Sequence, residues 1–331
     1  MSAKVDHTRA QVALVQTRPE TILADYERLF RLAGLSTLPG AEQAQTPMVA
    51  LEAAPDRQHP AATCPPWQVE GVCRALLADG RAPHDVNVVA PPGTNLTGPV
   101  AAGWRRVLAE CEVEDHLGAP AAPAPRLLLS GLRTNRWLGI QGPLSTLAAH
   151  LLPADQLADL HRHPERLMNS WSEMEPDEVA GAVVDATVCG DGPTGHSLTP
   201  VAAHVLLAGR DPVAVESVAA HLVGARQAGR RGLALPLIKA AGAAHLGCAV
   251  LDAIELVGDV GLEFPVVELR GIRGFRVSAG GLRGPVRLVE HWDRWARSWQ
   301  QRKSRRRYES SPWGRLHATY DQQGALGGGK T

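Results

Sequence analysis

The chain has 331 residues, of which 44% are hydrophobic and 21% are charged, with 34 basic and 34 acidic side chains. This length suits one large or two ordinary domains, and the hydrophobic content is sufficient for a buried core. Because the formal net charge is zero, the composition disfavours a general nucleic-acid binder and a membrane-surface protein.

The five cysteines are widely spaced, and none belongs to a CxxC pair. A zinc site or a ferredoxin-type iron–sulfur cluster needs such local spacing, so neither is predicted. An odd number of cysteines that are scattered along the chain is typical of a protein with reduced thiols. The first residues have no long apolar core and no apolar run of about 18 residues follows, so we expect a cytoplasmic protein without a membrane partner. The arginine-rich, lysine-poor composition indicates GC-rich, bacterial coding.

Strand and helix patterns alternate along the first part of the chain. Short apolar runs predict strands, whereas apolar residues at helical spacing, with Pro at the start or Gly at the end, predict helices. Strands are predicted at 11–16, 48–52 and 85–90. Helices are predicted at 21–34, 65–80 and 98–111. This order is typical of a parallel sheet with crossover helices.

The alternation continues after a stiff, proline-rich connector at 120–125. Further strands are predicted at 126–130, 180–186, 202–208, 254–257, 266–269 and 275–277. Further helices are predicted at 142–152, 212–223 and 234–246, with a polar helical segment over 151–179. We therefore predict an α/β fold, a Rossmann-like, mostly parallel sheet flanked by helices, with two α/β parts at 1–120 and 121–290.

The chain changes character after residue 290, and we treat 291–331 as a third part. Trp292, Trp295 and Trp299 lie on one face of a predicted helix, followed by a basic run at 302–307. Aromatic residues at helical spacing are more often core or a subunit contact than an RNA-binding surface. We therefore expect a homodimer through this tryptophan face and no nucleic-acid partner. The final segment, GALGGGKT, has a disordered composition.

The most informative segment is the glycine-rich acidic loop at 190–196, which follows a predicted buried strand. Its three glycines let the backbone pass close to a ligand. Asp185 ends the strand, where ligands bind in open α/β sheets, and Asp191 and His196 lie in the loop. Carboxylates beside an imidazole suit proton transfer, so we predict Asp185, Asp191 and His196 as catalytic residues.

Two other interpretations of this loop stay open. The same carboxylates and imidazole are hard ligands that could hold a divalent metal, although no cofactor is predicted. Alternatively, the aspartates bond loop amides in turns and the histidine lies at the surface.

A second group of residues is predicted to bind an anion. Amides at a helix N-terminus favour negative charge, and arginine offers a forked donor for carboxylate or phosphate. The predicted substrate-binding residues are Arg133, Thr134, Asn135, Arg136, Gly142, Ser145 and Arg210. If these arginines are solvated or pair with carboxylates elsewhere, no anion site follows.

Several neighbouring residues have structural explanations. Asp211 precedes Pro212 and is expected to cap a helix. His204 and His221 are expected to be structural histidines. Cys189 is expected to be a small buried thiol rather than a nucleophile that His196 activates.

Three segments resemble the domain-of-unknown-function 362 family. The first runs from Val183-Val184-Asp185 through Gly190-Asp191-Gly192-Pro193 to Leu206-Leu207-Ala208-Gly209-Arg210-Asp211-Pro212-Val213-Ala214-Val215-Glu216. The second is Gly131-Leu132-Arg133-Thr134-Asn135-Arg136 with residues 139–144. The third is Thr63-Cys64-Pro65-Pro66-Trp67. The resemblance spans residues 11–260 and implies a cytosolic α/β protein of largely undefined chemistry. Many members carry an appended ferredoxin-type module, which this chain lacks the cysteine cluster to form. The family's Lys-Pro-Asn and the lysines and histidine of its Lys-x-Lys-Thr-His segment are also absent, so neither an iron–sulfur role nor a lysine-based mechanism carries over.

These patterns predict a cytoplasmic enzyme that acts on a small anionic metabolite by acid–base chemistry. Isomerisation, cyclisation or elimination in specialised metabolism would each fit, with Arg133 holding the charge of the substrate. Two alternatives stay open. One is a redox protein that works with a separate electron-transfer partner, and the other is a non-catalytic binding or scaffold protein.

Overall fold

Eight strands of the described residues form one sheet. The computed structural model describes residues 10–37, 48–52, 63–94, 96–97, 99–119, 126–135, 138–175, 178–192, 198–225, 235–264, 266–269 and 303–326. The strands are β1 Ala10–Gln16, β2 Met48–Leu51, β3 Asn87–Val89, β4 Arg126–Asn135, β5 Gly139–Gln141, β6 Val179–Asp191, β7 Thr199–Gly209 and β8 Ile254–Gly258. Their order is β3-β2-β4-β6-β7-β1-β8, with β5 beside β4.

Helices cover both faces of this sheet. They are α1 Ile22–Leu32, α2 Pro66–Ala78, α3 Pro99–Glu110, α4 Pro143–Leu151, α5 Ala154–Ala158, α6 Glu165–Ser172, α7 Pro212–Leu222, α8 Pro236–Ala243, α9 at residues 303–309 and α10 Pro312–Leu326. One apolar core lies between the sheet and α1, α2, α3, α9 and α10, and a second lies between the sheet and α4 to α8. The predicted Rossmann-like, mostly parallel α/β sheet flanked by helices is confirmed.

The sheet combines parallel and antiparallel pairs. The pairs β2–β3, β2–β4, β4–β6 and β1–β8 are parallel, whereas β1–β7, β6–β7 and β4–β5 are antiparallel. The strand β1 lies between β7 and β8. The predicted parts 1–120 and 121–290 therefore contribute strands to the same sheet.

Local sequence signals explain where several helices begin. Proline occupies the first turn of α2, α4, α7 and α8, where its missing amide hydrogen is not needed. The carboxylate of Asp211 accepts hydrogen bonds from the amides of Val213 (2.8 Å) and Ala214 (3.0 Å) at the start of α7. The expectation that Asp211 caps this helix is confirmed.

The central strands are longer than the sequence predicts. β4 continues to Asn135 and β6 to Asp191, and both are buried along almost their whole length. In the β6–β7 hairpin, Gly190 pairs with Pro200 and Asp191 with Thr199. Cross-strand pairing therefore overrides the turn-forming tendency of glycine and aspartate, and the first residues of the predicted acidic loop belong to a strand.

Some predicted elements differ or lie outside the described residues. Residues 266–269 do not form a strand. Residues 324–326, predicted as disordered from composition, belong to α10. The connector 120–125, the predicted strand 275–277 and the three tryptophans at 292, 295 and 299 lie outside the described residues, so the homodimer through this face stays a prediction. Within the described part, no helix combines the length and the apolar character needed to cross a membrane.

Candidate functional site

The carboxyl ends of the parallel strands β2, β4 and β6 meet at one edge of the sheet, where ligands bind in open α/β folds. Glu52 directly follows β2, and Arg133 lies near the end of β4, in register with Gly190 of β6. We call Glu52, Arg133, Gln141 and Glu216 the carboxyl-edge cluster.

A buried ion pair forms its centre. The Nη2 atom of Arg133 lies 2.7 Å from Oε1 of Glu52, and the two side chains are only 8% and 4% exposed. The Nε of Arg133 donates to Gln141 at 2.7 Å, and the amide of Gly131 donates to Glu52 Oε2 at 3.2 Å. Burial raises the pKa of Glu52 to about 7, although Arg133 and the Gly131 amide oppose the rise. Glu52 therefore changes its charge near neutral pH.

A second buried carboxyl lies at the start of α4. The Oε2 atom of Glu216, on α7, accepts a hydrogen bond from the amide of Leu144 at 2.6 Å. A Cβ on Gly142 would come within 3.4 Å of the same oxygen, so glycine leaves room for the carboxyl. The anion position predicted at this helix N-terminus is thus filled by the chain's own side chain. Burial raises the pKa of Glu216 to about 8, the Leu144 amide opposes the rise, and the negative charge of Glu52 adds to it.

Cys64 connects the cluster to Asp185. Its buried thiol donates to the carbonyl of Leu129 at 3.2 Å. Burial raises the pKa of this thiol, the carboxyls of Glu52 and Asp185 raise it further, and Arg133 lowers it. Beside Cys64 the backbone links the two regions, because Gly131 pairs with Asp185 across β4 and β6 and its amide donates to Glu52.

The carboxylate of Asp185 is surrounded by hydrogen-bond donors. Its Oδ2 accepts from the hydroxyl of Tyr26 (2.7 Å) and the indole N–H of Trp67 (2.9 Å). Its Oδ1 accepts from the amide of Thr187 at 2.8 Å and from the hydroxyl of the same residue. Burial raises the pKa of Asp185, and these donors oppose the rise. With four donors on two oxygens, the predicted catalytic Asp185 is arranged as a structural acceptor and offers little to a substrate or a divalent metal.

Aromatic residues of α10 cover this network. The rings of Trp313 and His317 both lie 5.8 Å from that of Trp67, and the ring of Tyr320 lies 6.1 Å away. We call Trp313, His317 and Tyr320 the aromatic cover. The indole N–H of Trp313 donates to His204 at 2.9 Å. The aromatic cover therefore shields Trp67 and Asp185 from solvent on this face of the sheet.

Polar contacts fix the aromatic cover in place. The hydroxyl of Tyr320 donates to the buried carboxylate of Glu70, which also pairs with Arg74 at 2.7 Å. Arg106 donates to the carbonyl of Tyr320, and its guanidinium lies 5.3 Å from the centre of that ring. These contacts hold α10 against α2 and α3.

Three of the predicted substrate-binding residues bond the backbone instead. The hydroxyl of Thr134 donates to the carbonyl of Gly192 (2.6 Å) and accepts from its amide (2.7 Å). Asn135 accepts from the amide of Leu138 at 3.0 Å. Ser145 accepts from the amide of Gly142 at 3.1 Å and donates to its carbonyl at 2.7 Å. These side chains stabilise the turns around the cluster, and Arg136 lies outside the described residues.

The structure does not bring the predicted catalytic residues Asp185 and Asp191 together. Asp185 and Asp191 lie six positions apart on β6, which separates them by roughly 15–20 Å at the usual strand rise. His196 lies outside the described residues. In the part of the chain that the structure covers, no three His, Cys, Asp or Glu side chains are placed to hold a metal ion.

Arg210 lies at the opposite ends of the strands from Arg133, beside the amino end of β6. Gly209, before it, pairs with Ala182 near the start of β6, whereas Arg133 pairs with Gly190 near its end. The guanidinium of Arg210 is exposed and donates twice to the carbonyl of Gly34, at 3.0 and 2.8 Å. A small ligand therefore cannot contact both arginines.

The remaining polar residues match their expected structural roles. Cys189 is buried, and burial raises the pKa of its thiol. His204 accepts the indole hydrogen bond of Trp313, and His221 stacks on Phe264 with ring centres 4.8 Å apart.

Sequence reasoning missed Glu52 and Gln141. A signal for Glu52 existed, because it ends the predicted strand 48–52, and ligands bind at strand ends in open α/β sheets. Gln141 carried no such signal, since its contact with Arg133 depends on the β4–β5 hairpin.

Comparisons of the chain with models of protein families, with curated proteins and with solved structures found no match in any of the three. The resemblance to the domain-of-unknown-function 362 family stays a prediction.

Proposed function

We propose that the chain is an enzyme that acts on a small anionic molecule by acid–base chemistry, with Glu52 as the proton-transferring group and Arg133 as its charge partner. The observation that carries the proposal is the buried ion pair between these side chains at the carboxyl ends of β2 and β4. The proposal keeps the reaction class predicted from the sequence, an isomerase, cyclase or lyase. It moves the proton transfer from Asp185, Asp191 and His196 to Glu52.

Glu52 is suited to proton transfer because its charged form is incompletely stabilised. One guanidinium and one amide contact its carboxylate, and burial raises its pKa to about 7. A carboxyl with a pKa near the working pH both takes up and releases protons readily.

Arg133 supports an anionic substrate. An anion that contacts the guanidinium adds negative charge beside Glu52, which raises the pKa of this carboxyl further. Binding should therefore take up a proton near pH 7. Glu216, with its pKa raised to about 8, is mainly neutral at that pH and adds little repulsion.

The proposed setting is the bacterial cytoplasm, in a biosynthetic reaction. All five cysteines are free thiols, and four of them are buried, which suits a reducing compartment. The arginine-rich composition supports the bacterial source.

Anion binding comes first in the test. A panel of small 2-oxo and 3-hydroxy carboxylates is titrated calorimetrically at pH 7 in two buffers of different ionisation enthalpy. We expect at least one anion to bind with proton uptake. In Glu52→Gln the proton uptake should disappear, and in Arg133→Gln the binding itself should disappear.

Proton transfer to carbon is then followed by NMR in D₂O. We expect the wild type to replace an acidic C–H of the bound anion with deuterium, and Glu52→Gln to leave it unchanged. Glu110→Gln, on an exposed part of α3, is the matched control and should exchange at the wild-type rate. The proposal fails if none of the anions binds, or if Glu52→Gln exchanges as fast as the wild type.

A further inference from the structure

Two buried polar atoms at the start of α2 have no hydrogen-bond partner among the described residues. They are the hydroxyl oxygen of Thr63 and the amide oxygen of Gln68. Thr63 is 7% exposed, and Gln68 is fully buried. A buried polar atom without a partner costs stability, so each such atom in a native fold needs an explanation.

Both residues lie at the peptide that joins Ser130 to Gly131, beside Glu52. The Nε2 of Gln68 donates to the carbonyl of Ser130 at 3.1 Å, and the amide of Gly131 donates to Glu52 at 3.2 Å. A Cβ on Gly131 would lie 3.2 Å from the carbonyl oxygen of Thr63 and 3.9 Å from Oε2 of Glu52. The start of α2 is therefore in direct contact with the carboxyl-edge cluster.

The sequence explains why the oxygen of Gln68 has no partner in its own helix. Gln68 is the third residue of α2, and Pro65 is the N-cap. In a capping box, a glutamine at this position accepts a hydrogen bond from the amide of the N-cap residue, but proline has no amide hydrogen. The Nε2 of Gln68 donates to the carbonyls of Ser130 and Val183, at 3.1 and 3.2 Å. These two acceptors fix the orientation of the side-chain amide, so its oxygen remains a buried acceptor that α2 does not use.

We propose that Thr63 and Gln68 bind a hydroxyl group of the anionic substrate, which makes the substrate a hydroxycarboxylate. This hydroxyl site rests on the proposed function, since Arg133 supplies the contact with the carboxylate. The oxygen of Gln68 only accepts, and a substrate hydroxyl provides the donor. The hydroxyl of Thr63 both donates and accepts, so it completes the remaining bond.

Burial makes such a contact selective. A site that is built to hydrogen-bond a substrate hydroxyl rejects an analogue without it, because its own buried groups then stay unpaired. An oxo group accepts from Thr63 but has no hydrogen for Gln68. We therefore expect a hydroxycarboxylate to bind at least about tenfold more tightly than the matching oxo acid or the unsubstituted acid.

The test compares two sets of acids by calorimetric titration of the full chain at pH 7. One set is lactate, pyruvate and propionate, and the other is 3-hydroxybutyrate, acetoacetate and butyrate. We expect the hydroxy acid to bind most tightly in at least one set. In Thr63→Val, which removes the hydroxyl and keeps the shape of the side chain, its affinity should fall toward that of the unsubstituted acid. Thr63→Ser keeps a hydroxyl and should retain the preference.

Ser36→Ala is the matched control. Ser36 also has a buried hydroxyl without a partner in the part of the chain that the structure covers. Its neighbour Leu35 lies against Gly181, near the amino end of β6 and away from Glu52. The preference for hydroxy acids in Ser36→Ala should equal that of the wild type.

The outcomes separate the hydroxyl site from the proposed function. If the acids bind and Arg133→Gln abolishes binding, but the three acids of each set bind equally, the hydroxyl site is excluded and the proposed function stands. If none of the acids binds, both are excluded. Equal affinity for hydroxy and oxo acids would exclude the role of Gln68, and an unchanged preference in Thr63→Val would exclude that of Thr63. Thr63→Val should melt at no lower temperature than the wild type, and a lower melting temperature would assign the hydroxyl to the fold instead.

Discussion

Two buried carboxyls lie at the same level of the sheet and have opposite surroundings. Gly131 contacts both of them. It pairs with Asp185 across β4 and β6, and its amide donates a hydrogen bond to Glu52. Asp185 accepts four hydrogen bonds, whereas Glu52 has one guanidinium and one amide. A fully bonded carboxylate therefore stabilises the fold. A carboxylate with fewer donors keeps the ability to change its protonation state near neutral pH.

The largest effect is expected from Asp185→Ala. It leaves the donors of Tyr26, Trp67 and Thr187 without their acceptor in the core, so the free energy of unfolding should fall by roughly 3–5 kcal/mol. Chemical denaturation measures this fall. Glu52→Gln keeps an acceptor for Gly131 and should lose only about 1–2 kcal/mol. Equal losses of stability in the two variants would contradict the different roles of Asp185 and Glu52.

The pH dependence of stability should be the next largest effect. The folded pKa values of Glu52 and Glu216, about 7 and about 8, both exceed the ordinary 4.5 of the unfolded chain. The folded protein therefore holds protons that the unfolded chain has released, and it loses this stabilisation as the pH rises through 7 and 8. Between pH 6.5 and 8 the free energy of unfolding should fall by roughly 2 kcal/mol.

Histidines mask this trend at lower pH. Burial lowers the pKa of His150 from 6.5 to about 4. Between these two pH values the contribution of His150 to the free energy of unfolding rises with pH, which opposes the fall caused by the two carboxyls. Above pH 6.5 the carboxyls dominate. In Glu216→Gln, chemical denaturation should show that most of the fall in the free energy of unfolding between pH 6.5 and 8 is gone. In Glu110→Gln the fall should be that of the wild type. An unchanged slope in Glu216→Gln would contradict the assignment.

Thr134→Val should have a moderate, local effect. The substitution removes both hydrogen bonds to Gly192 at the β6–β7 hairpin. We expect a loss of about 1–2 kcal/mol and faster amide hydrogen exchange at Gly192. Ser145→Ala, which removes a backbone contact at the start of α4, is the control and should leave that exchange unchanged. Wild-type exchange in Thr134→Val would exclude its role in holding the hairpin.

Arg210→Gln should have the smallest effect. Its guanidinium is exposed and bonds the carbonyl of Gly34 at the opposite ends of the strands from Arg133, so stability should change by no more than about 0.5 kcal/mol. Anion binding, measured calorimetrically, should equal that of the wild type, whereas Arg133→Gln should abolish it. Loss of anion binding in Arg210→Gln would place the ligand away from the carboxyl-edge cluster.

Local signals predict most of the fold. Pro66 and Pro212 begin helices, and Asp211 caps one, because each acts on its own first turn. The ends of β4 and β6 were not predictable in this way. Their last residues have polar or turn-forming side chains, and pairing with strands elsewhere in the chain decides that they stay extended.

The site was predictable only in part. The sequence singled out Arg133 and Asp185, and the strands that carry them, β4 and β6, are neighbours in the sheet. The partners that determine the role of Asp185 could not be found, since Tyr26 lies 159 residues away and Trp67 lies 118 away. The same holds for Glu216, which reaches the start of α4 across 72 residues.

The most direct test of the protonation of Glu52 near neutral pH is the titration of glutamate carboxyl groups by NMR with carbon-13 labelling. We expect a carboxyl that titrates near pH 7, is absent from Glu52→Gln and titrates at higher pH in Arg133→Gln, where the neighbouring cation is missing. Identical titration of the wild type and Glu52→Gln between pH 6 and 8 would contradict it.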